Sequence, residues 1–324
     1  VKVAVLGAGA WGTALARVLH ANRHEIAIWG RNAEALRELA AGRNERYLPG
    51  IELPRDWMCE PVLSRAVAGR ECVVFAVPSD ALRSLGHLLA ESKAILVSVT
   101  KGIEYDTGKT MCGVLRECVP NAAVASLSGP TFAAEVARGV PTAIVAASQD
   151  DGVRKTVQEI FHQPTFRVYR SHDLLGVEMG GALKNIIAIA AGVCDGLGFG
   201  DNSKAALITR GIAEVRRLGV ACGAEPETFS GLSGLGDLTL TCFSSQSRNR
   251  QLGERIGRGE PAQAATSGGK LAEGVPTTRS AFRLARRLNV ETPIIDEVHA
   301  MLYETKDPRR ALVDLLSRDV KAED

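Results

Sequence analysis

The chain has 324 residues, about twice a typical domain length, with 45% hydrophobic and 23% charged, so two globular domains with their own cores are expected. Its 39 Lys and Arg nearly balance 37 Asp and Glu, and only 5% of residues are aromatic, which argues against a basic, base-stacking nucleic-acid surface. Glycine is the outlying figure, 33 residues against a usual share of about 7%, and it falls in short motifs rather than a low-complexity tract.

Along the first half, short β-branched apolar runs alternate with helical patterns. Strands are predicted at 1–6, 25–29, 72–77, 94–99, 122–126, 142–146 and 166–169, with helices at 11–21, 33–41, 81–90 and 152–161. Strands apolar on both faces and separated by helices belong to a mostly parallel sheet covered on both sides. The expected fold class is therefore α/β, with a doubly wound, Rossmann-like domain over residues 1–170. Beyond His172 no strand pattern recurs. Helical periodicity runs through 174–197, 203–222, 248–258, 275–288, 294–303 and 308–318, with a short helix near Pro226. Residues 171–324 are accordingly predicted to form an all-α domain. Its first segment, 174–197, is apolar around most of its circumference, as expected of a central buried helix.

The first predicted strand runs into Gly7-Ala8-Gly9-Ala10-Trp11-Gly12, a G-x-G-x-x-G turn that opens a helix. In this setting Gly7 makes the tight turn, Gly9 admits a pyrophosphate to the backbone, and Gly12 lets helix pack on strand. N–H groups at the helix N-terminus would face the phosphates. A dinucleotide is the expectation, and a plain turn that binds nothing is the alternative. The second strand leads into Gly30-Arg31-Asn32, with Arg31 nineteen positions after Gly12 and no carboxylate for a ribose 2′-hydroxyl. A guanidinium can hold a 2′-phosphate bidentately, so NADP(H) is expected to be preferred, with NAD(H) also usable. A solvated surface arginine is the plainer reading.

Ligands in open α/β sheets bind beyond the carboxyl ends of the strands, which places Val77-Pro78-Ser79 and Val99-Thr100-Lys101-Gly102 at the crevice. Lys101 can bring a cationic charge to substrate or cofactor there. In Ser128-Gly129-Pro130-Thr131-Phe132-Ala133, Thr131 either caps the next helix or turns its hydroxyl toward an anionic ligand. Lys184 interrupts the apolar helix within Gly180-Gly181-Ala182-Leu183-Lys184-Asn185, a costly position unless the amine is paired or functional. Gly180, one turn earlier, would let a ligand approach the same face. A buried lysine with a second cation nearby is less basic, and can exchange a proton with a hydroxyl or carbonyl oxygen. The alternative is a side chain that snorkels from the helix edge. Asp237 falls at a predicted helix start, as an N-cap or a site carboxylate. Ser247, Arg248 and Asn249 open the next helix with a hydroxyl, a guanidinium and an amide, a set suited to a phosphate monoester unless Arg248 is simply solvated.

None of the seven cysteines forms a C-x-x-C pair, so neither a metal site nor a disulfide framework is indicated, and free thiols fit a reducing cytoplasm. No basic leader precedes the first strand, and charge-free runs such as 121–134 fall short of the ~20 residues of a membrane span. A cytoplasmic protein without a membrane span is expected. The chain opens at Val1 rather than Met, which leaves room for a few preceding residues.

Together these segments resemble the bacterial-type NAD(P)-dependent sn-glycerol-3-phosphate dehydrogenases. The resemblance runs through 7–12, 44–50 (NERYLPG), 100–104 (TKGIE), 128–133, 180–185, 202–214 (NSKAALITRGIAE), 231–242 and 247–250, and the later motifs are far more specific than the glycine fingerprint. It implies reversible reduction of dihydroxyacetone phosphate to sn-glycerol 3-phosphate, a precursor of glycerophospholipids. It implies Lys184 as proton donor and acceptor, oriented by Asp237, with Lys101 favouring the oxyanion. Substrate contacts are implied for Lys101, Gly129, Thr131, Lys184, Asp237, Ser247, Arg248 and Asn249. Cofactor contacts are implied for Ala10, Trp11, Arg31, Lys101, Ala133, Arg248, Leu271 and Glu273, beside Gly7, Gly9 and Gly12. Thr131 and Ala10 stand where the family often has Ser; Thr131 keeps a hydroxyl, whereas Ala10 offers only its backbone. A β-hydroxyacid or ketoacid reductase and a non-catalytic cofactor sensor are the competing readings, and the Ala- and Leu-rich helical faces leave room for a homodimer.

Overall fold

A computed structural model describes residues 1–267 and 272–317 of the chain. Two compact units emerge, one of Val1–Glu104 with Lys109–Glu178, the other of Tyr105–Gly108 with Met179–Asp324. The division falls within a helix, at 178/179. The physical reason lies in Glu178, which accepts the Cys112 N–H at 2.9 Å and so ties the first turn of that helix to the sheet-bearing unit.

In the first unit, β1 (Lys2–Leu6), β2 (Glu25–Trp29), β3 (Met58–Glu60), β4 (Cys72–Phe75), β5 (Ile95–Ser98), β6 (Val124–Ser128), β7 (Thr142–Ala147) and β8 (Phe166–Ser171) form one sheet. The strand order is β3-β2-β1-β4-β5-β6-β7-β8, parallel throughout except between β6 and β7. The connecting helices are α1 (Ala10–Ala21), α2 (Ala33–Ala40), α3 (Leu63–Val67), α4 (Ser79–His87), α5 (Met111–Cys118), α6 (Ala133–Ala137) and α7 (Asp151–Phe161). The chain winds outward from β1 in both directions, so right-handed crossovers put helices on both faces and a switch point between β1 and β4. Val3, Val5, Ile26, Ile28, Val74 and Val97 of the central strands share one buried cluster with Leu15 and Leu19 of α1. β3 escapes the strand pattern because it is a three-residue edge with Met58 exposed and Cys59 and Glu60 half-buried. It carries no apolar run to read. The five-residue helices α3 and α6 are too short to show a period.

The second unit takes up α8 (Leu174–Gly196) from Met179 and continues with α9 (Asp201–Ala221), a 3₁₀ turn at Pro226–Ser230 and a π turn at Leu232–Gly236. There follow α10 (Asp237–Phe243), α11 (Arg248–Gly257), α12 (Ala262–Ser267), α13 (Gly274–Leu288), α14 (Pro293–Tyr303) and α15 (Pro308–Leu316). No strand occurs there among the described residues. α8 does reach the length and hydropathy of a membrane span, contrary to the expectation from charge-free runs, yet 94% of that window is buried inside the protein. It is the central helix of a helical core. α11 lies against it at backbone distance: a Cβ on Gly192 would collide with the Arg250 carbonyl, and one on Gly253 with the Ile189 carbonyl.

Candidate active site

In the first unit, Gly7 leaves β1 with φ +124°, and a Cβ there would strike the carbonyl of Ala76 just beyond β4. A Cβ on Gly12 would collide with the Gly7 carbonyl, so both glycines are demanded by the fold itself. Gly9 differs. Nothing lies within 4 Å of the point its Cβ would occupy, so the cradle is open to a ligand. Gly9 is also the N-cap of α1 without a side-chain cap bond, which leaves the first-turn N–H groups around Ala10 and Trp11 for an outside acceptor. Together these fit a dinucleotide pyrophosphate. Asn44, 2% exposed, clamps this turn by donating to the Ala8 carbonyl at 3.2 Å and to Thr13 Oγ1 at 2.8 Å. Arg31 is exposed just after β2, and the next residue, Asn32, caps α2 by accepting from Glu34 N at 2.9 Å and Ala35 N at 3.0 Å.

At the carboxyl ends of β5 and β6, Lys101 Nζ and Thr131 Oγ1 both donate to the Gly129 carbonyl, each at 3.3 Å. Three residues expected at the site thus converge on one oxygen. Thr100 Oγ1 reaches the Val77 carbonyl at 2.7 Å, holding the ends of β4 and β5 in register. Thr131 is not the helix cap: that position belongs to Phe132, which makes no side-chain cap bond, and α6 opens with half-buried Ala133.

In the second unit, Lys184 is 7% exposed, and its Nζ donates to Asp237 Oδ1 and to Thr241 Oγ1, both at 2.6 Å. It is a buried, paired lysine rather than a snorkelling one. Asp237 is 1% exposed and opens α10 directly after the π turn, a conformation frequent at functional sites. Gly236 holds the cap position, so the carboxylate serves Lys184 instead. Thr241, one turn along, donates to the Asp237 carbonyl at 2.6 Å and completes the cluster. Gly180 does not open the helix to a ligand. A Cβ there would lie 2.7 Å from the Ser233 carbonyl, so its bare backbone admits the turn that carries Asp237.

Ser247 caps α11, its Oγ accepting from Arg250 N at 3.2 Å, and Arg248 is exposed on the first turn. Asn249 is more committed than expected of a substrate contact. It donates to Asn185 Oδ1 and accepts from Gly274 N, both at 2.9 Å, bracing α8, α11 and α13. Glu273 is half-buried just before α13, and Leu271 lies outside the described residues. Thr241, Asn185 and Asn44 are the functional candidates that sequence reasoning missed. The four-residue spacing of Asp237 and Thr241 was the available signal for the first; Asn44 acts across 31 and 36 residues, where spacing is silent. His20 and His24 share an H-x-x-x-H spacing, but His20 faces Asp56 at 3.7 Å and His24 Nε2 faces the Ile160 carbonyl at 3.0 Å.

Two family models match the chain, described as NAD-dependent glycerol-3-phosphate dehydrogenase N-terminus over residues 2–154 and C-terminus over 173–313. The chain is 48% identical to the glycerol-3-phosphate dehydrogenase (NAD(P)+) of Syntrophotalea carbinolica, over 99% of each chain. The enzyme of the same name from Citrifermentans bemidjiense is also 48% identical, with 99% of this chain and 98% of that one covered. The crystal structure of glycerol-3-phosphate dehydrogenase from Coxiella burnetii superposes with a TM-score of 0.94 at 38% identity, covering 98% of this chain and 99% of that one.

Proposed function

Because the chain belongs to the NAD-dependent glycerol-3-phosphate dehydrogenase family, we propose that Lys184 is the proton donor and acceptor of its reaction, the NAD(P)-dependent interconversion of dihydroxyacetone phosphate and sn-glycerol 3-phosphate. The observation that carries this reading is the buried Lys184–Asp237–Thr241 cluster. Asp237 and Thr241 fix its Nζ in one place. In the direction of reduction the ammonium gives a proton to the oxygen developing on carbon 2; in the direction of oxidation the amine takes it from the hydroxyl. A dinucleotide held at the glycine turn would supply or accept the hydride at that carbon.

Gly7, Gly9 and Gly12 with the first turn of α1 would hold the pyrophosphate, and Arg31 a 2′-phosphate, which supports a preference for NADP(H) over NAD(H). Lys101, set by the Gly129 carbonyl, would favour negative charge on the reacting oxygen. The substrate phosphate would be held by Ser247, Arg248 and the N–H groups opening α11. The seven free thiols support placement in a reducing, cytoplasmic compartment.

The test is NADPH oxidation on addition of dihydroxyacetone phosphate. Lys184→Ala should lose about 10²–10⁴ in kcat, while NADPH affinity measured by fluorescence titration stays at the parent value. A Lys184→Ala protein with parental kcat would overturn the assignment.

A further inference from the structure

Asp195 stands near the end of α8, outside the cluster around Lys184, and its carboxylate gathers cations from two other helices. Lys204 of α9 meets Oδ1 at 2.6 Å, and Arg250 of α11 meets Oδ2 at 2.6 Å, the latter an ion pair made off the N–H axis. All three side chains are largely withdrawn from water, at 13%, 9% and 15% exposure respectively, so the attractions are weakly screened. Lys204 also lies under the ring of Phe243, 5.3 Å from its centroid, within cation–π range.

Phe243 and Arg250 have a shared significance: they flank, from the end of α10 and from the first turn of α11, the loop that joins those helices. Phe243 is the last residue of α10, and Arg250 is the residue whose N–H the Ser247 cap receives. The intervening chain folds on itself, with Ser247 N donating to the Ser244 carbonyl at 3.2 Å and Gln251 Nε2 to the Ser245 carbonyl at 2.6 Å. Its internal shape is thus set locally, and beyond the Asn249–Asn185 bond and the packing of Gly192 on the Arg250 carbonyl, its placement is set at its two ends. We infer that Asp195 is a positioning residue that fastens both ends of the 243–250 loop to α8, one directly through Arg250 and one through Lys204 beneath Phe243. This holds the Ser247–Arg248–Asn249 turn at a constant place on the helix that carries Lys184. Removing the charge leaves Lys204 and Arg250 close together without their shared anion, so attraction becomes repulsion and the turn shifts.

The inference rests on the reading of that turn as the phosphate holder, and the experiment separates the two. Asp195→Asn, Phe243→Leu and Arg248→Ala are compared with the parent for the KM of dihydroxyacetone phosphate, competitive inhibition by inorganic phosphate, kcat, and NADPH affinity. Asp195→Asn should raise the KM and the phosphate inhibition constant together by roughly tenfold, with kcat within about threefold and NADPH affinity unchanged. Phe243→Leu removes an exposed ring and frees one end of the loop only, so it should raise both constants by a smaller factor. Arg248→Ala should raise both constants whatever Asp195 does; if it leaves them unchanged, the phosphate reading itself fails. If Arg248→Ala raises them while Asp195→Asn and Phe243→Leu do not, or if Asp195→Asn lowers kcat with phosphate inhibition unaltered, the positioning role is overturned.

Discussion

Lys184 and Arg31 show opposite ways in which a cation earns a place. Lys184 is withdrawn from water and tolerated because Asp237 and Thr241 each lie 2.6 Å from its Nζ. Arg31 is exposed, and the chain around it is fixed by Asn32, which caps α2. Under the proposed reading, a side chain so presented would meet the 2′-phosphate of NADP(H). Charge-assisted hydrogen bonds of this kind are worth about 1.5–3 kcal/mol. Arg31→Ala should therefore lower kcat/KM for NADPH by roughly ten- to a hundredfold and leave NADH nearly unchanged. Steady-state kinetics with the two cofactors check this; an unaltered NADPH to NADH ratio would remove the assignment.

Helix contacts, rather than loops, set the second unit. Glu214 of α9 is 2% exposed and accepts the N–H groups of Ile294 and Ile295 at the start of α14, at 2.9 and 2.8 Å. Burial pushes its carboxyl up from the ordinary 4.5 to about 7, against the pull of those two N–H donors. A folded value raised above the unfolded one means that the native state keeps its proton while the unfolded chain has already released it. Stability is therefore present in full below pH 4.5 and is lost as pH rises toward 7, by up to about 3 kcal/mol. Glu214→Gln cannot ionise and keeps an acceptor for the helix end. In denaturant unfolding its stability should gain on the parent as pH rises from about 5 to about 7.5. A difference that stays constant across that range would exclude the linkage. The packing of α8 on α11 through Gly192 and Gly253 belongs to this scale as well, and gives part of the glycine excess a purely structural cause.

As a molecule, the chain carries its candidate residues on two cores. A mostly parallel sheet presents the glycine turn, Lys101 and Thr131 beyond its strand ends, and a helical unit contains Lys184, Asp237 and the turn at Ser247. Both halves match models of one family, over 2–154 and 173–313. The β-hydroxyacid or ketoacid reductase that the sequence alone left as an alternative would take a carboxylate rather than a phosphate. With NADP+ as acceptor, sn-glycerol 3-phosphate should be oxidised at a kcat/KM at least about a hundredfold above any member of a 3-hydroxy acid panel. Preference for a carboxylate substrate would reverse that conclusion.

Patterns confined to a few neighbouring residues were legible in the sequence alone. The glycine turn after β1, the alternation of sheet and helix, the all-helical second half and the buried helix bearing Lys184 all rest on local periodicity and backbone sterics. What depends on residues distant in sequence was decided by tertiary structure. Asp237 becomes a lysine partner rather than a helix cap because the π turn settles on bare Gly180, bringing together groups 53 residues apart. Thr131 turns to the Gly129 carbonyl, Asn249 braces three helices, and β3 exists only because β2 offers it an edge. A sequence specifies which groups can bond; only the packed chain decides which of several competent partners each one meets.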